Sequence, residues 1–338
     1  MQRETSSFAL GFQAAKGSAA ANYVRGIFTS HRHLATYDVM RVEGEHRGLH
    51  QRPSAHQSTA QRTGVIVPWS VSFALRPYLI GQALLMAGYK CVTTENAPEA
   101  GAYTHTFTEA DVDEIGYGSM LEYLGEGADR YGVRSVDGKA NNLRINASRD
   151  GITVDVGGFA LTPGDAVGSE TETAEVDVLL NPATGSFTLT SSDITAMGTP
   201  RTHEWTQDNP LDDSEQQLHS LYRASLAENG RTRSGSMGGL VFAEDVFREL
   251  AYAGGSSPVI AVPEAQLSWS FESPGVFVGT TKYSLTWTYA NCEVALSPFD
   301  VSGDGRLLHD VTYTVRDSVS GSPSTVVLIN DLASYAGS

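Results

Sequence analysis

The chain has 338 residues, 41% of them hydrophobic and 18% charged, which is enough apolar material for a sizeable core and too little charge for a disordered chain. With 23 Lys and Arg against 39 Asp and Glu, the formal net charge is -16, which argues against a surface that grips nucleic acid by neutralising phosphates. At roughly 150 residues per domain the length predicts two packed units.

Residues 1–62 read as a basic arm and a long loop. They hold eight Lys or Arg against four acids, a total of +4 that leaves -20 for the remainder. Lys16, Arg25, Arg32, Arg41, Arg47 and Arg52 are the candidates for contacts with an acidic partner, such as the rest of the protein in a neighbouring copy. The opening Met1-Gln-Arg-Glu-Thr-Ser-Ser has neither the basic start nor the apolar run of a signal peptide, so export is not expected. From Thr63 the pattern changes. Val65, Val67, Trp69, Val71 and Phe73 alternate with Ile66, Pro68, Ser70, Ser72 and Ala74, as on a half-buried strand. Tyr78 to Gly88 then reads as a short helix with Pro77 at its start and Gly at its end. Val65 to Gly88 carries a single charge, Arg76, but two prolines and a change of period argue against a membrane span.

Strand patterns follow at Tyr103–Thr108, Gly118–Leu124, Asn142–Ala147 and Ile152–Phe159, with Arg149-Asp-Gly151 as a hairpin signal. A Pro/Gly/Ser/Thr-rich stretch from Thr162 to Thr173 places a boundary near residue 165. The expected organisation is an arm over 1–62, a first β unit over 63–165 and a second over 166–338. Further strands are predicted at Ala174–Leu180, Phe187–Thr190, Gln266–Phe271, Lys282–Ala290, Val311–Arg316 and Thr325–Asn330. Leu218, Leu221, Tyr222 and Leu226 recur at helical spacing and predict a helix near 212–227, and a second is predicted near 243–252. Both halves are therefore mainly β.

No active site emerges, and no enzyme activity or cofactor is expected. Cys91 and Cys292 lie far apart and predict free thiols. Asp300, Ser302 and Asp304 resemble the opening of a calcium loop, but its twelfth position is Val311 rather than an acid, so an ordinary turn is the better reading. His31 and His33, with His46, His50 and His56, lack a cysteine and a scaffold for zinc. Gly132 to Lys139 has the wrong spacing for a phosphate loop. Trp69, Phe73, Trp269, Trp287 and Tyr289 sit in strand patterns as packing residues, whereas Trp205 lies in a polar stretch that suits a contact with another subunit.

The order of elements resembles the tail tube protein, or major tail protein, of long-tailed bacteriophages. The similarity rests on Gly11-Phe-Gln-Ala-Ala-Lys-Gly17, on the Pro-to-Gly helix from Arg76 to Gly88, and on Tyr103-Thr-His-Thr-Phe107. It extends to the closing segments Tyr283 to Asn291, Asp300 to Arg306, His309 to Asp317 and Val326 to Asn330. Residues 160 to 260 carry little of it. The resemblance implies a β-sandwich or barrel assembled into stacked rings, with neighbouring subunits continuing one sheet around a channel and the short helix covering the outside. It also implies a virion tail location after assembly in the host cytoplasm. Its partners would be further copies of itself, a tape measure protein and tail terminator or distal tail proteins. Genomic DNA would slide past an acidic wall without being bound, and no membrane is involved. Two β units per chain would make a ring of three chains; one unit with an outward decoration domain would need six. The rival from another class is a virion-surface or secreted β-sandwich that holds carbohydrate on exposed aromatics such as Trp205.

Overall fold

The computed structural model describes residues 6–40, 61–96, 99–111, 115–125, 131–166, 170–190, 200–212, 218, 220–240, 264–296, 309–317 and 322–335. The fold is mainly β, with twenty strands and one helix among the described residues. The first strands are β1 (Ser6–Phe12), β2 (Tyr23–Arg25), β3 (Ser30–His33), β4 (Thr36–Met40) and β5 (Gln61–Ala74), followed by the helix α1 (Leu79–Met86). Next come β6 (Tyr89–Glu95), β7 (Tyr103–Glu109), β8 (Gly118–Leu124) and the long hairpin of β9 (Tyr131–Ser148) and β10 (Gly151–Asp165). Then follow β11 (Glu172–Ala174), β12 (Asn181–Thr190), β13 (Thr202–Asp208), β14 (Leu211–Asp212), β15 (Ala227–Glu228) and β16 (Thr232–Leu240). The chain closes with β17 (Glu264–Val278), β18 (Thr281–Leu296), β19 (His309–Val315) and β20 (Ser324–Asn330).

Two long strands organise the sandwich. β18 holds β17 along one edge, while its other edge pairs with β20 at Ser284–Tyr289 and with β19 at Cys292–Leu296. One row therefore runs β12-β17-β18-β20-β7-β6, and a second runs from β19 through β16, β13, β9 and β10 to β5. β9 divides in the same way, pairing with β13 at Asn142–Ala147 and with β8 at its start. The two rows face each other across an aromatic core. Trp205 of β13 meets Trp287 of β18 at 4.2 Å between ring centroids, and His203 meets Trp269 at 5.2 Å. Trp269 and Trp287 stack at 5.1 Å within their own row. Such ring pairs add about 0.5–1.5 kcal/mol each beyond the area they bury. Trp69, Phe73, Trp269, Trp287 and Tyr289 all lie in this core.

The composition of α1 explains its place. All eight of its residues are buried, as a helix apolar on every side must be. The C-terminal segment lies over it in turn. Tyr335 packs where a side chain on Gly81 would stand, and its hydroxyl donates to the Pro77 carbonyl at 2.8 Å. The open carbonyls at the helix end take buried side-chain donors: Gln207 and Asn209 donate to Ala87 O at 2.6 and 2.9 Å, and Arg231 donates to Gly88 O at 3.2 Å. At the other end Glu175 accepts the N–H groups of Tyr78 and Leu79. Beside the helix end a buried ion ladder joins four elements. Lys139 lies 3.7 Å from Glu228, Arg231 bridges Glu228 and Glu109 at 3.5 and 3.4 Å, and Arg233 meets Glu109 at 2.6 Å.

Several expectations change here. Residues 6–33 are not an arm, since β1 pairs with β2 and β8, and β3 with β5. Phe8 and Leu10 enter the main core while Ala9 packs in a second cluster with Tyr23 and Leu121, so β1 is buried on both faces and shows no alternation to read. Strand pairing also crosses residue 165, through β13 with β9 and β20 with β7, and one core cluster extends from Phe8 to Tyr335. The described part of 212–227 forms no helix. Ala227–Glu228 pairs with Leu211–Asp212, and Leu218, Leu221 and Tyr222 are exposed, so their spacing marks no buried stripe. The segments at 41–60, 243–252 and 299–305, with the loop expected in the first, the helix in the second and the Asp/Gly turn in the third, lie outside the described residues. Gly132 to Lys139 is part of β9, not a phosphate-cradling loop.

Candidate assembly surface

Two of the predicted basic contacts, Lys16 and Arg25, are satisfied within the chain. Lys16 donates to the Ala224 carbonyl and stands over the Tyr117 ring, 5.6 Å from its centroid. Arg25 pairs with Glu172 at 3.5 Å, β2 and β11 lying side by side. Arg32 is exposed on β3, and Arg41, Arg47 and Arg52 lie outside the described residues. Trp205 corrects the sequence reading outright. It is wholly buried, because the polar stretch around it is a central strand whose alternate residues His203, Trp205 and Gln207 face the core. It offers no face to a sugar or a second subunit.

His31 and His33 converge on one carboxylate rather than on a metal site. His31 Nε2 lies 2.7 Å from Glu122 Oε1, and His33 Nδ1 lies 3.5 Å from Oε2. Burial works against the Glu122 carboxylate, but hydrogen bonds from His33 and His31 outweigh it and hold the pKa below the usual value. This clamp fastens β3 to β8. No group of three or more His, Cys, Asp or Glu suited to a metal occurs among the described residues.

The surface features that remain point outward from sheet edges. β6 pairs only with β7, and β12 only with β17, so both ends of the first row are open among the described residues. β12 (NPATGSFTLT) carries no charge and exposes Ala183 to Ser186, Thr188 and Thr190. β6 exposes Val92 at 65% between Lys90 and Glu95. Edge strands of soluble proteins are usually blunted by charge, proline or a covering element; β12 has only Pro182, at its beginning. No protein-family model matches the chain, and no curated protein does. No helix among the described residues is long and apolar enough to cross a membrane.

A second exposed region surrounds the base of the β4–β5 hairpin. Leu34, Tyr37 and Val39 are exposed on one side of β5, and Leu221 and Tyr222 on the other, where Val65 N donates to Leu221 O at 2.9 Å. Arg62 lies over the Tyr37 ring at 3.8 Å, and Arg223 meets Asp38 at 3.6 Å. Five large apolar side chains gathered around one hairpin form the kind of patch that marks a protein contact. Sequence periodicity did not single out this patch, because it is assembled from segments some 180 residues apart.

Proposed function

We propose that this chain is a structural subunit of the tail-tube type, which polymerises into stacked rings around a channel. The observation that carries this is the six-strand row. Its five successive pairings are all antiparallel, so β6 and β12 run in opposite directions with their outer edges open among the described residues. A neighbour that sets its β6 beside β12 therefore continues an antiparallel sheet, and a head-to-tail contact of this kind closes into a ring when the rotation per copy divides the circle. The apolar patch at the β4–β5 hairpin supplies a second contact, and residues 41–60, with Arg41, Arg47 and Arg52, connect its two strands. In the tube this hairpin reaches the next ring.

The net charge of -16 suits the same role. An acidic channel wall repels phosphates, so DNA passes without binding. On this reading the chain is a virion tail protein assembled in the host cytoplasm, with tape measure, terminator and distal tail proteins as its other partners. Rings of three or six chains are both compatible with it.

Negative-stain electron microscopy of the concentrated chain tests the proposal. Wild type should give hollow tubes or stacked rings whose symmetry counts the chains. Val92→Glu, which places a charge on an exposed edge without touching the core, should raise the concentration needed for assembly by about tenfold or more. A wild-type particle that stays monodisperse at high concentration would overturn the tube reading.

A further inference from the structure

A cleft of about 500 Å³ opens between the β12–β17 pair of one row and the β9–β13 pair of the other. Half-buried Phe187 supplies its aromatic wall, with the buried Trp269 and Phe271 behind it, and Arg149 and Arg201 bring the charge. None of the described lining residues is acidic, although acids outnumber bases 39 to 23 in the chain. Both arginines are exposed, and neither guanidinium has an ion pair among the described residues. Arg149 stands on the two-residue turn between β9 and β10. Arg201 is held by its backbone N–H, which donates to Gly238 O at 2.9 Å. Its stem crosses Gly239, where an added Cβ would come within 2.8 Å of Arg201 Cδ. The cleft thus combines an apolar wall with two exposed guanidiniums that have no ion pair among the described residues.

We propose that this cleft binds a small aromatic carboxylate, with its ring against the half-buried Phe187 and its carboxylate on Arg149 and Arg201. A planar guanidinium matches a carboxylate through paired N–H donors, and such charge-assisted bonds are among the strongest that polar groups make. A neutral aromatic compound would leave both guanidiniums unmatched. His203, which also lines the cleft, contributes no charge, because burial pushes its pKa down to about 3.

Titration calorimetry of the full chain with indole-3-acetate tests this, with indole-3-ethanol as a neutral analogue of nearly the same shape. Expected are saturable one-to-one binding of the acid, at least about tenfold weaker binding of the alcohol, and a loss of about tenfold or more in the Arg149→Gln, Arg201→Gln double variant. Both side chains are exposed, so the variant should melt at the wild-type temperature. No saturable heat, equal affinity for acid and alcohol, or unchanged affinity in a folded double variant would each overturn the proposal. The comparison of acid with alcohol needs only the wild-type chain.

Discussion

Glu175→Gln isolates the contribution of one buried carboxyl to the pH dependence of stability. Glu175 is 7% exposed, and its oxygens accept the backbone N–H groups of Leu79 (2.6 Å), Tyr78 (3.0 Å) and Val176 (3.2 Å). Burial raises its pKa from 4.5 to about 7, and the three backbone donors and the Arg76 charge pull it only part of the way back. Because the folded pKa lies above the unfolded one, the folded state binds the proton more tightly. The resulting stabilisation is complete below pH 4.5 and is lost as pH rises through 7. A rise of that size corresponds to about 3 kcal/mol. Glutamine is neutral throughout, so the gap between the unfolding free energies of wild type and variant should change by about 3 kcal/mol between pH 4.5 and 8, in favour of wild type at the acid end. Urea unfolding followed by tryptophan fluorescence at several pH values measures that gap. A fixed penalty for the amide facing the Leu79 N–H cancels, as do carboxylates common to both chains. Profiles that run parallel within about 1 kcal/mol would refute the assignment of a raised pKa to this group.

Three other outcomes follow from the same geometry. Trp205→Ala should destabilise the chain by about 3–5 kcal/mol, the usual cost of emptying a buried tryptophan site, and should collapse the near-ultraviolet circular dichroism of the stacked Trp and Tyr rings. Gly81→Ala would raise the stability of an exposed helix by about 1 kcal/mol, but here the new methyl overlaps the Tyr335 ring. The melting temperature should therefore fall, and a companion Tyr335→Ala change should relieve part of the strain. Burial raises the Cys91 thiol to about 11 and the Cys292 thiol to about 12. A disulfide reagent at pH 8 should then modify half-buried Cys91 roughly a hundredfold more slowly than a free thiol, and buried Cys292 only on unfolding.

The sequence by itself determined the β class, the free cysteines, the helix after Pro77 and most strands that are buried on one face only. β5 and β18 are the clearest cases. Trp69, Phe73, Trp287 and Tyr289 recur with a period of two, because each strand presents one face to the core. Strands buried differently escaped it. β1 has apolar residues on both faces, and β13 hides Trp205 between His203 and Gln207, polar residues whose buried partners are Tyr313 and Tyr89. No local pattern shows that such polar groups are paired, so the polar stretch around Trp205 read as a contact with another subunit rather than as a central strand. The reverse error came among Leu218, Leu221, Tyr222 and Leu226, where the helical spacing marks no common buried face: Leu226 is buried while the other three are exposed. The open ends at β6 and β12 and the cleft with Arg149 and Arg201 were not legible at all. They depend on which strand lies beside which, and that order is set by contacts such as Trp205 on Trp287, made between residues 82 positions apart. Local pattern fixes how each strand presents its faces, but only the closing of the two rows on one core decides which edges remain free.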